Sequence, residues 1–231
     1  MAEFEIINGA GIIPEATTII KDCAFKGCES LKNIIIPEYV TYIGDWALSG
    51  CESLESITIP KSVTKIGDFV LKGCTGLTEI KVSEENPLYD SREGCNAIIE
   101  TATNKLIAGC KSTTIPNSVT EIGEGAFSGC KSLKNIIIPK GVRSIEWNAF
   151  KDCISLTTIT IPTSVTKIGW CSFSGCTSLT TITIPNSVRE IGEYAFSGCH
   201  SLNTIYVTKG DSERVKRMLP KELHKFVTEK E

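Results

Sequence analysis

The chain has 231 residues, 41% hydrophobic and 22% charged, with a formal net charge of −3 and a pI near 5.6. An acidic chain without a basic stripe argues against nucleic acid as a partner, and no apolar run approaches the roughly 20 residues that span a bilayer, so we expect no membrane insertion. The first residues, MAEFEIINGAGIIP, lack a positive stretch followed by a long apolar one, so they predict no secretion signal in the chain as given and favour the cytoplasm.

Residues 1–12 predict a strand-like N-terminal cap, and from residue 13 the chain repeats. The repeat is marked by prolines that follow paired isoleucines and recur every 23 residues within two blocks. A fixed period of this size is typical of stacked supersecondary units. The prolines are Pro14, Pro37 and Pro60, then Pro116, Pro139, Pro162 and Pro185. We therefore predict repeats over residues 13–208.

Each repeat contains two extended pieces and a turn. The Ile-x-Ile alternation before the proline predicts a short strand with one buried face, which the proline ends. A second apolar pair follows, such as Val63 and Ile66, and then an acidic residue such as Asp45 at the entrance of a predicted helical turn. The glycine before each cysteine, replaced once by Asp152, is predicted to be left-handed.

One insertion breaks the period. Ser83 stands where a proline is due and Pro116 follows 33 residues later, so about residues 84–111 form an insertion. Within it, DSREG at 90–94 is expected to be a solvated loop. After residue 208, the segment DSERVKRMLPKELHKFV has helically spaced apolar residues broken by Pro220, which predicts two short helices in a C-terminal cap over residues 209–231. We expect one domain over 1–231, with about eight coils around one continuous core.

The repeat consensus SLxxIxIPxxVTxIGxxAFxGC resembles the BspA-like subclass of leucine-rich repeat proteins. This resemblance implies a curved leucine-rich repeat solenoid, a superhelix of short β-strands plus helical turns, whose Leu-x-x-Ile-x-Ile strands line the concave face. The segment from Asn86 to Pro116 also resembles that family's recurrent insertion, in which Ala97 to Glu100 would pair with Lys105 to Ala108 as a hairpin. Many members are bacterial surface proteins implicated in adhesion, which implies a cell-surface or secreted chain with a host or extracellular protein as partner.

The 11 cysteines fall mainly in one register of the repeat. We predict that this register is a ladder of buried thiols, because cysteine behaves as a small hydrophobe. Bridges between coils remain an alternative, although parallel side chains fit disulfide geometry poorly. Cys23 and Cys171 belong to another register, so the five-residue spacing of Cys171 and Cys176 is a coincidence. His200 and His224 lie in no zinc-binding arrangement. The ladder comprises Cys28, Cys51, Cys74, Cys130, Cys153, Cys176 and Cys199.

No phosphate loop, His-Glu-x-x-His or Gly-x-Ser-x-Gly motif is present, so we expect no enzyme activity, metal or cofactor. Binding residues are sought instead on the concave face. Its exposed strand positions either carry no ligand, since threonine suits an exposed strand, or form an interaction surface with Ile35, Ile137 and Tyr206 as anchors. The candidates are Asn33, Ile35, Thr58, Lys81, Ile137, Thr160, Thr183 and Tyr206.

Trp147 and Trp170 stand one repeat apart, where most other repeats carry an acidic residue. Their rings either lie flat over the coil or form an exposed convex patch for a partner or for self-association. The sequence thus favours a non-catalytic protein-binding scaffold, adhesin-like through its concave face. The alternative is a purely structural or self-assembling module with no dedicated ligand, and the oligomeric state stays open.

Overall fold

The structure, a computed structural model, describes residues 4–230 and is built mainly from short strands. Residues 1–3 of the expected N-terminal cap and residue 231 lie outside the described part. The strands are β1 (Glu5–Ile7), β2 (Ala10–Ile12), β3 (Ile19–Ile20), β4 (Asn33–Ile34), β5 (Tyr42–Ile43), β6 (Ser56–Ile59), β7 (Lys65–Ile66), β8 (Glu79–Val82), β9 (Tyr89–Asp90), β10 (Ala97–Glu100), β11 (Lys105–Gly109), β12 (Glu121–Ile122), β13 (Ser144–Ile145), β14 (Thr158–Thr160), β15 (Lys167–Ile168), β16 (Thr181–Ile184), β17 (Glu190–Ile191), β18 (Thr204–Thr208) and β19 (Val227–Lys230). The helices are α1 (Ser212–Met218) and the 3-10 helices Arg92–Gly94 and Lys221–Phe226.

Successive repeats stack into a β-solenoid of about ten turns. The strands before the prolines pair in parallel along one face, as β6 with β8 and as β14 with β16 and β18. The second extended pieces pair in parallel along another face, from β3 through β5 to β7 and from β12 through β13 and β15 to β17. Equivalent residues therefore meet one coil apart, and one apolar register of the sequence becomes one buried row.

The predicted helical turn is wrong. Backbone N–H groups in this segment bond alternately within the coil and to the next coil. The Cys28 N–H donates to the Phe25 carbonyl at 3.0 Å, whereas the Gly27 N–H donates to Ser49 at 2.7 Å. In a helix, every N–H after the first turn bonds to a carbonyl four residues earlier in the same segment. The acidic residues also act between coils, since the Asp22 carboxylate accepts the Asp45 N–H at 2.9 Å.

Two registers of the turn are left-handed. The first is the predicted glycine before each cysteine, and Asp152 at φ 59° confirms the expected replacement. The second was missed, because it contains bulky residues that seldom adopt positive φ. Its backbone directs alternate amides to the next coil. This register comprises Cys23, Trp46, Phe69, Gly125, Asn148, Cys171 and Tyr194, with φ between 53° and 62°.

The interior is divided by the insertion, so the expected single continuous core is wrong. One buried cluster runs from Ile13 to Cys110 and the other from Cys95 to Leu219. Strand β10 separates them, because Ile98 faces the first cluster and Ile99 the second. The second contains a stack of near-parallel phenylalanine rings whose centroids are 5.1–5.7 Å apart. These rings are Phe127, Phe150, Phe173 and Phe196.

The predicted hairpin is confirmed: β10 and β11 are antiparallel, with Ala97 opposite Gly109 and Glu100 opposite Lys105. DSREG is a solvated loop only in part, because Glu93 and Gly94 are exposed whereas Asp90 and Arg92 are held by hydrogen bonds. The Arg92 guanidinium binds the Asp90 carboxylate at 2.6 and 2.8 Å and donates to Asn104 at 2.8 Å. These bonds hold the 3-10 helix Arg92–Gly94 against the hairpin, because a guanidinium matches a carboxylate with two parallel bonds.

The turn of the last coil before the insertion stacks directly on the turn of the first coil after it, since the Gly73 N–H donates to the Ser128 carbonyl at 3.0 Å. Both ends of the solenoid carry an extra strand, and the count of about ten turns exceeds the expected eight. The N-terminal end is a β1–β2 hairpin. At the C-terminal end, the two predicted short helices are present as α1 and the 3-10 helix Lys221–Phe226, with Pro220 between them. Strand β19, which was not predicted, pairs in parallel with β18.

Candidate functional site

The predicted concave residues alternate with buried ones along their strands. Thr160 pairs with Thr183, and Thr183 pairs with Tyr206, so these three side chains form one row over β14, β16 and β18. A second row over β6 and β8 pairs Thr58 with Lys81. Lys81 is bound to Glu79 at 2.7 Å, and the Lys230 ammonium lies 5.2 Å from the Tyr206 ring centroid. The two rows are polar and weakly charged.

The candidate concave residues do not lie on one continuous hydrogen-bonded sheet. Residues 135–138 are not a strand, although the sequence repeats the Ile-x-Ile pattern there. Ile137 is 85% exposed on this irregular segment, between the rows of β8 and β14. The insertion interrupts the strand pairing at this point. The predicted face is thus divided into an N-terminal part with Asn33, Ile35, Thr58 and Lys81 and a C-terminal part with Thr160, Thr183 and Tyr206.

An apolar hollow of about 540 Å³ lies on the N-terminal part of this face and was not predicted. It is lined by Ile12, Ile35 and Tyr39, with Glu15 and Glu38 also at its wall. Ile35 is 83% exposed and Ile12 45%, and the pairing of β2 with β4 sets them in equivalent positions of adjacent coils. Three consecutive isoleucines at 34–36, instead of an alternating pattern, were the signal in the sequence.

Trp147 and Trp170 lie side by side, with ring centroids 5.7 Å apart and planes inclined at 43°. They are 42% and 45% exposed, so each ring is half covered by the coil beneath it. The pair is part of a longer line of contacting rings, which we call the aromatic row. It comprises Trp46, Phe69, Trp147, Trp170 and Tyr194, with successive centroids 4.6, 5.6, 5.7 and 6.2 Å apart.

The aromatic row changes register where it crosses the insertion, which is why the sequence did not reveal it. Trp46 and Phe69 belong to the second left-handed register. Trp147 stands one position earlier in its repeat, in the register that carries an acidic residue such as Asp45 or Asp68 in most other repeats, which we call the acidic register. Gly125 makes the crossing possible, since an added Cβ there would lie 2.3 Å from the Phe69 ring. The Phe69 ring instead crosses this glycine and meets Trp147 edge to face, with 81° between the planes.

The cysteine ladder is confirmed. Its members from Cys51 to Cys199 are buried, and all 11 cysteines of the chain are unpaired thiols. Each buried ladder thiol, from Cys51 to Cys199, donates to a backbone carbonyl earlier in the chain, as Cys51 to Phe25 and Cys153 to Phe127, both at 3.1 Å. Burial raises the pKa of Cys51 to about 12 and holds that of Cys153 well above its ordinary value. Thiols that stay protonated are poor nucleophiles and metal ligands.

Catalytic and metal chemistry have little support in the part of the chain that the structure describes. Across residues 4–230 there is no group of three histidine, cysteine or acidic side chains that could hold a metal ion. No helix in that range is long and apolar enough to cross a membrane. Glu79 and Asp90 are each engaged by a cation, Lys81 and Arg92, at 2.7 and 2.6 Å. Each of the two carboxylates is therefore occupied by its cation.

Comparison with solved structures shows the same architecture in bacterial proteins. A leucine rich cell surface protein from Faecalibacterium prausnitzii is 30% identical, with a TM-score of 0.64 over 88% of this chain and 60% of that one. A leucine-rich repeat protein from Bacteroides ovatus is also 30% identical, with a TM-score of 0.53 over 84% and 48%. The pneumococcal vaccine antigen PcpA shares the fold at 21% identity, with a TM-score of 0.59 over 91% and 69%.

The chain therefore spans less than two thirds of the first two of these proteins. No curated protein matches the sequence. The family described as "BspA type Leucine rich repeat region" matches residues 10–95 and 97–217, in 6 copies. This match covers most of the chain and follows the 23-residue period. The chain belongs to the BspA-type leucine-rich repeat family.

Proposed function

We propose that this repeat scaffold binds another protein, without catalysis, and acts as an adhesin through its strand-lined face. The apolar hollow around Ile35 supports this most directly. An isoleucine that is 83% exposed beside a second exposed isoleucine is unusual on an otherwise polar face. Apolar patches rimmed by polar groups are typical of protein-binding sites. The partner that fits is an apolar side chain next to a lysine or arginine, because Glu15 and Glu38 line the same hollow.

We propose the cell surface as the place of action. The Faecalibacterium protein is described as a leucine rich cell surface protein, and it is 30% identical to this chain. Unpaired thiols suggest a reducing compartment at first sight. In the ladder, however, burial and a raised pKa remove the accessible thiolate that disulfide exchange requires. The ladder is therefore compatible with an oxidising exterior.

The test is binding of the purified chain to a panel of purified extracellular-matrix proteins, measured by biolayer interferometry. The variant Ile12→Thr/Ile35→Thr places in the hollow the residue that other coils carry at the same position, Thr58 for example. We expect its affinity for a bound protein to fall at least tenfold. Ile137→Thr is the matched control, since Ile137 has the same register and exposure but lies outside the hollow.

Two results would contradict the proposal. One is that no protein of the panel binds. The other is a bound protein whose affinity is unchanged by Ile12→Thr/Ile35→Thr and also by Thr160→Lys/Thr183→Lys on the C-terminal part of the face. Circular dichroism of each variant shows whether the fold is kept, and all four positions are at the surface, so we expect it to be kept.

The second candidate function is a structural or self-assembling module, favoured by the half-exposed rings of Trp147 and Trp170. Paired exposed indoles are a frequent site of association. Light scattering of the wild type and of Trp147→Asp/Trp170→Asp measures this. A mass above that of one chain, reduced by the variant, would support self-assembly, and the same single-chain mass for both would exclude this role for the two tryptophans.

A further inference from the structure

A regular column of lysines accompanies the aromatic row. In most turns, the N–H of the glycine before the cysteine donates to a carbonyl of the next coil, and these bonds form a backbone ladder. The ladder passes directly over the insertion, where the Gly73 N–H donates to the Ser128 carbonyl. Lysine occupies the first, third and fifth coils of this ladder, before Ser174 and Ser197 continue it. This sets the lysines roughly 10 Å apart, since adjacent strands are about 4.8 Å apart. We call Lys26, Lys72 and Lys151 the lysine column, and Ser49 and Ser128 separate them in the ladder.

The lysine column lies against the aromatic row. The Lys26 and Lys72 ammonium groups are 5.2 and 4.8 Å from the Trp46 ring centroid, and Lys72 is 6.0 Å from that of Phe69. Within residues 4–230, none of the three lysines forms an ion pair with an acidic side chain. The Lys26 and Lys72 cations are held by ring faces instead, which attract them less than a carboxylate does.

The positive charge of this column is incompletely compensated. Burial lowers the pKa of Lys72, and the charges of Lys151 and Lys26 lower it further, while Asp152 offsets them in part. Mutually repelling ammonium groups are suited to an anionic ligand, which would supply the negative charge and the hydrogen-bond acceptors that they lack.

The aromatic row supplies a different kind of contact. Trp147 and Trp170 present half-exposed indoles, and Phe69 and Tyr194 stand at about right angles to them at the two ends, at 81° and 80°. The face of an aromatic ring is electronegative, so it attracts C–H groups and repels anions. A ligand that covers both features must therefore alternate flat, C–H-rich units with acidic groups.

We propose that the aromatic row and the lysine column together bind an acidic polysaccharide. Sugar rings would lie on Trp147 and Trp170, and carboxylate or sulfate groups would meet Lys26, Lys72 and Lys151. This site is separate from the hollow around Ile35 and does not depend on the proposed binding of a protein.

The spacing of the charges favours a polysaccharide over nucleic acid. One lysine per roughly 10 Å is sparser than the phosphates of a nucleic acid, which carry one charge per nucleotide. A dense polyanion would also meet the acidic register beside the row, in which Asp22, Asp45 and Asp68 follow one another in successive coils. A sugar chain with one acidic group in each disaccharide avoids both difficulties, because its charges are spaced over two rings.

Isothermal titration calorimetry with three defined probes tests the proposal. A hyaluronan oligosaccharide carries one carboxylate per disaccharide, a chondroitin sulfate oligosaccharide adds sulfate, and dextran is neutral. We expect the two acidic probes to bind and dextran to bind at least tenfold more weakly. Affinity should fall with rising salt, since exposed charges are screened. The difference between hyaluronan and chondroitin sulfate then tells which acidic group the site prefers.

Two variants separate the two halves of the site. Lys26→Ser/Lys72→Ser/Lys151→Ser introduces the residue that the same ladder carries in the intervening coils, so the fold should tolerate it. Trp147→Ala/Trp170→Ala removes the sugar platform. Each should weaken binding of the acidic probe at least tenfold. The matched control, Lys111→Ser/Lys140→Ser/Lys209→Ser, removes the same charge from exposed positions elsewhere and should leave affinity within twofold.

The proposal is overturned if neither acidic probe binds, or if the control triple variant weakens binding as much as the column variant does. Tighter binding of an oligothymidylate that is lost in the same two variants would assign the site to nucleic acid. Concentration-dependent dimerisation lost in Trp147→Ala/Trp170→Ala, without sugar binding, would assign the row to a second copy of the chain. Loss of the Ile35 protein site would affect none of these measurements.

Discussion

Labelling of the cysteines with a bulky thiol reagent measures how closed the interior of the solenoid is. Cys23 is exposed and Cys28 is half-buried, whereas the other nine thiols are buried. Burial raises the pKa of Cys51 from 9.0 to about 12. At a pH well below both pKa values, a shift of this size leaves about a thousandfold less thiolate, which is the reactive form of cysteine. Steric exclusion slows the reaction further, so the buried ladder thiols, from Cys51 to Cys199, should react only after unfolding.

The assay is reaction with N-ethylmaleimide followed by peptide mapping, in native buffer and in guanidinium chloride. We expect Cys23 to be labelled first and Cys28 more slowly, because burial also raises the pKa of Cys28. All 11 cysteines should react at similar rates in denaturant. Cys23→Ser should abolish the fast phase and leave the rest unchanged. Native labelling of Cys51 or Cys153 at the rate of Cys23 would refute a packed thiol ladder.

Three further predictions concern stability, each measured by urea unfolding. Phe150→Ala should cost about 3–5 kcal/mol, because the ring is fully buried between two others, whereas exposed Ile137→Ala should change stability by less than about 0.5 kcal/mol. Gly125→Ala should lower the free energy of unfolding, because the added Cβ clashes with the Phe69 ring. The decrease should be smaller when Gly125→Ala is made in the Phe69→Ala variant, and equal decreases in the wild type and in that variant would contradict the clash. Burial and neighbouring carboxylates raise the pKa of Asp68 in the folded protein, so its ionisation opposes folding. The free energy of unfolding should therefore fall as pH rises from the unfolded pKa through the folded one. Asp68→Asn should stabilise the protein at neutral pH and lose this advantage below the unfolded pKa, and an effect independent of pH would contradict this linkage.

The sequence by itself determined the repeating unit. The 23-residue period fixed which residues share a row, because a solenoid places equivalent residues of successive coils in contact. Leu54 and Leu77, Ile57 and Ile80, and the cysteines were therefore predictable as buried rows. The hairpin across 101–104 was found through the family resemblance, and the pairing of β10 with β11 agrees with it.

Predictions failed where a residue's conformation depends on the adjacent coil. The turn around Phe25 matches a helical pattern, yet half of its amides bond to the next coil. Positive φ at Trp46 and Tyr194 contradicts their intrinsic preference and is imposed by those bonds. Likewise, the pattern at 135–138 predicts a strand, but this segment of the coil after the insertion forms none.

The candidate sites depend on contacts between different registers, which a period cannot show. The aromatic row joins Phe69 to Trp147 only because the turn ladder crosses the insertion and Gly125 leaves room for the ring. The lysine column is regular in space although 79 residues separate Lys72 from Lys151 in the chain. Periodic burial is a local property of the repeat, so the sequence determined it. The surface combinations arise from how unequal coils stack, so only the tertiary structure decided them.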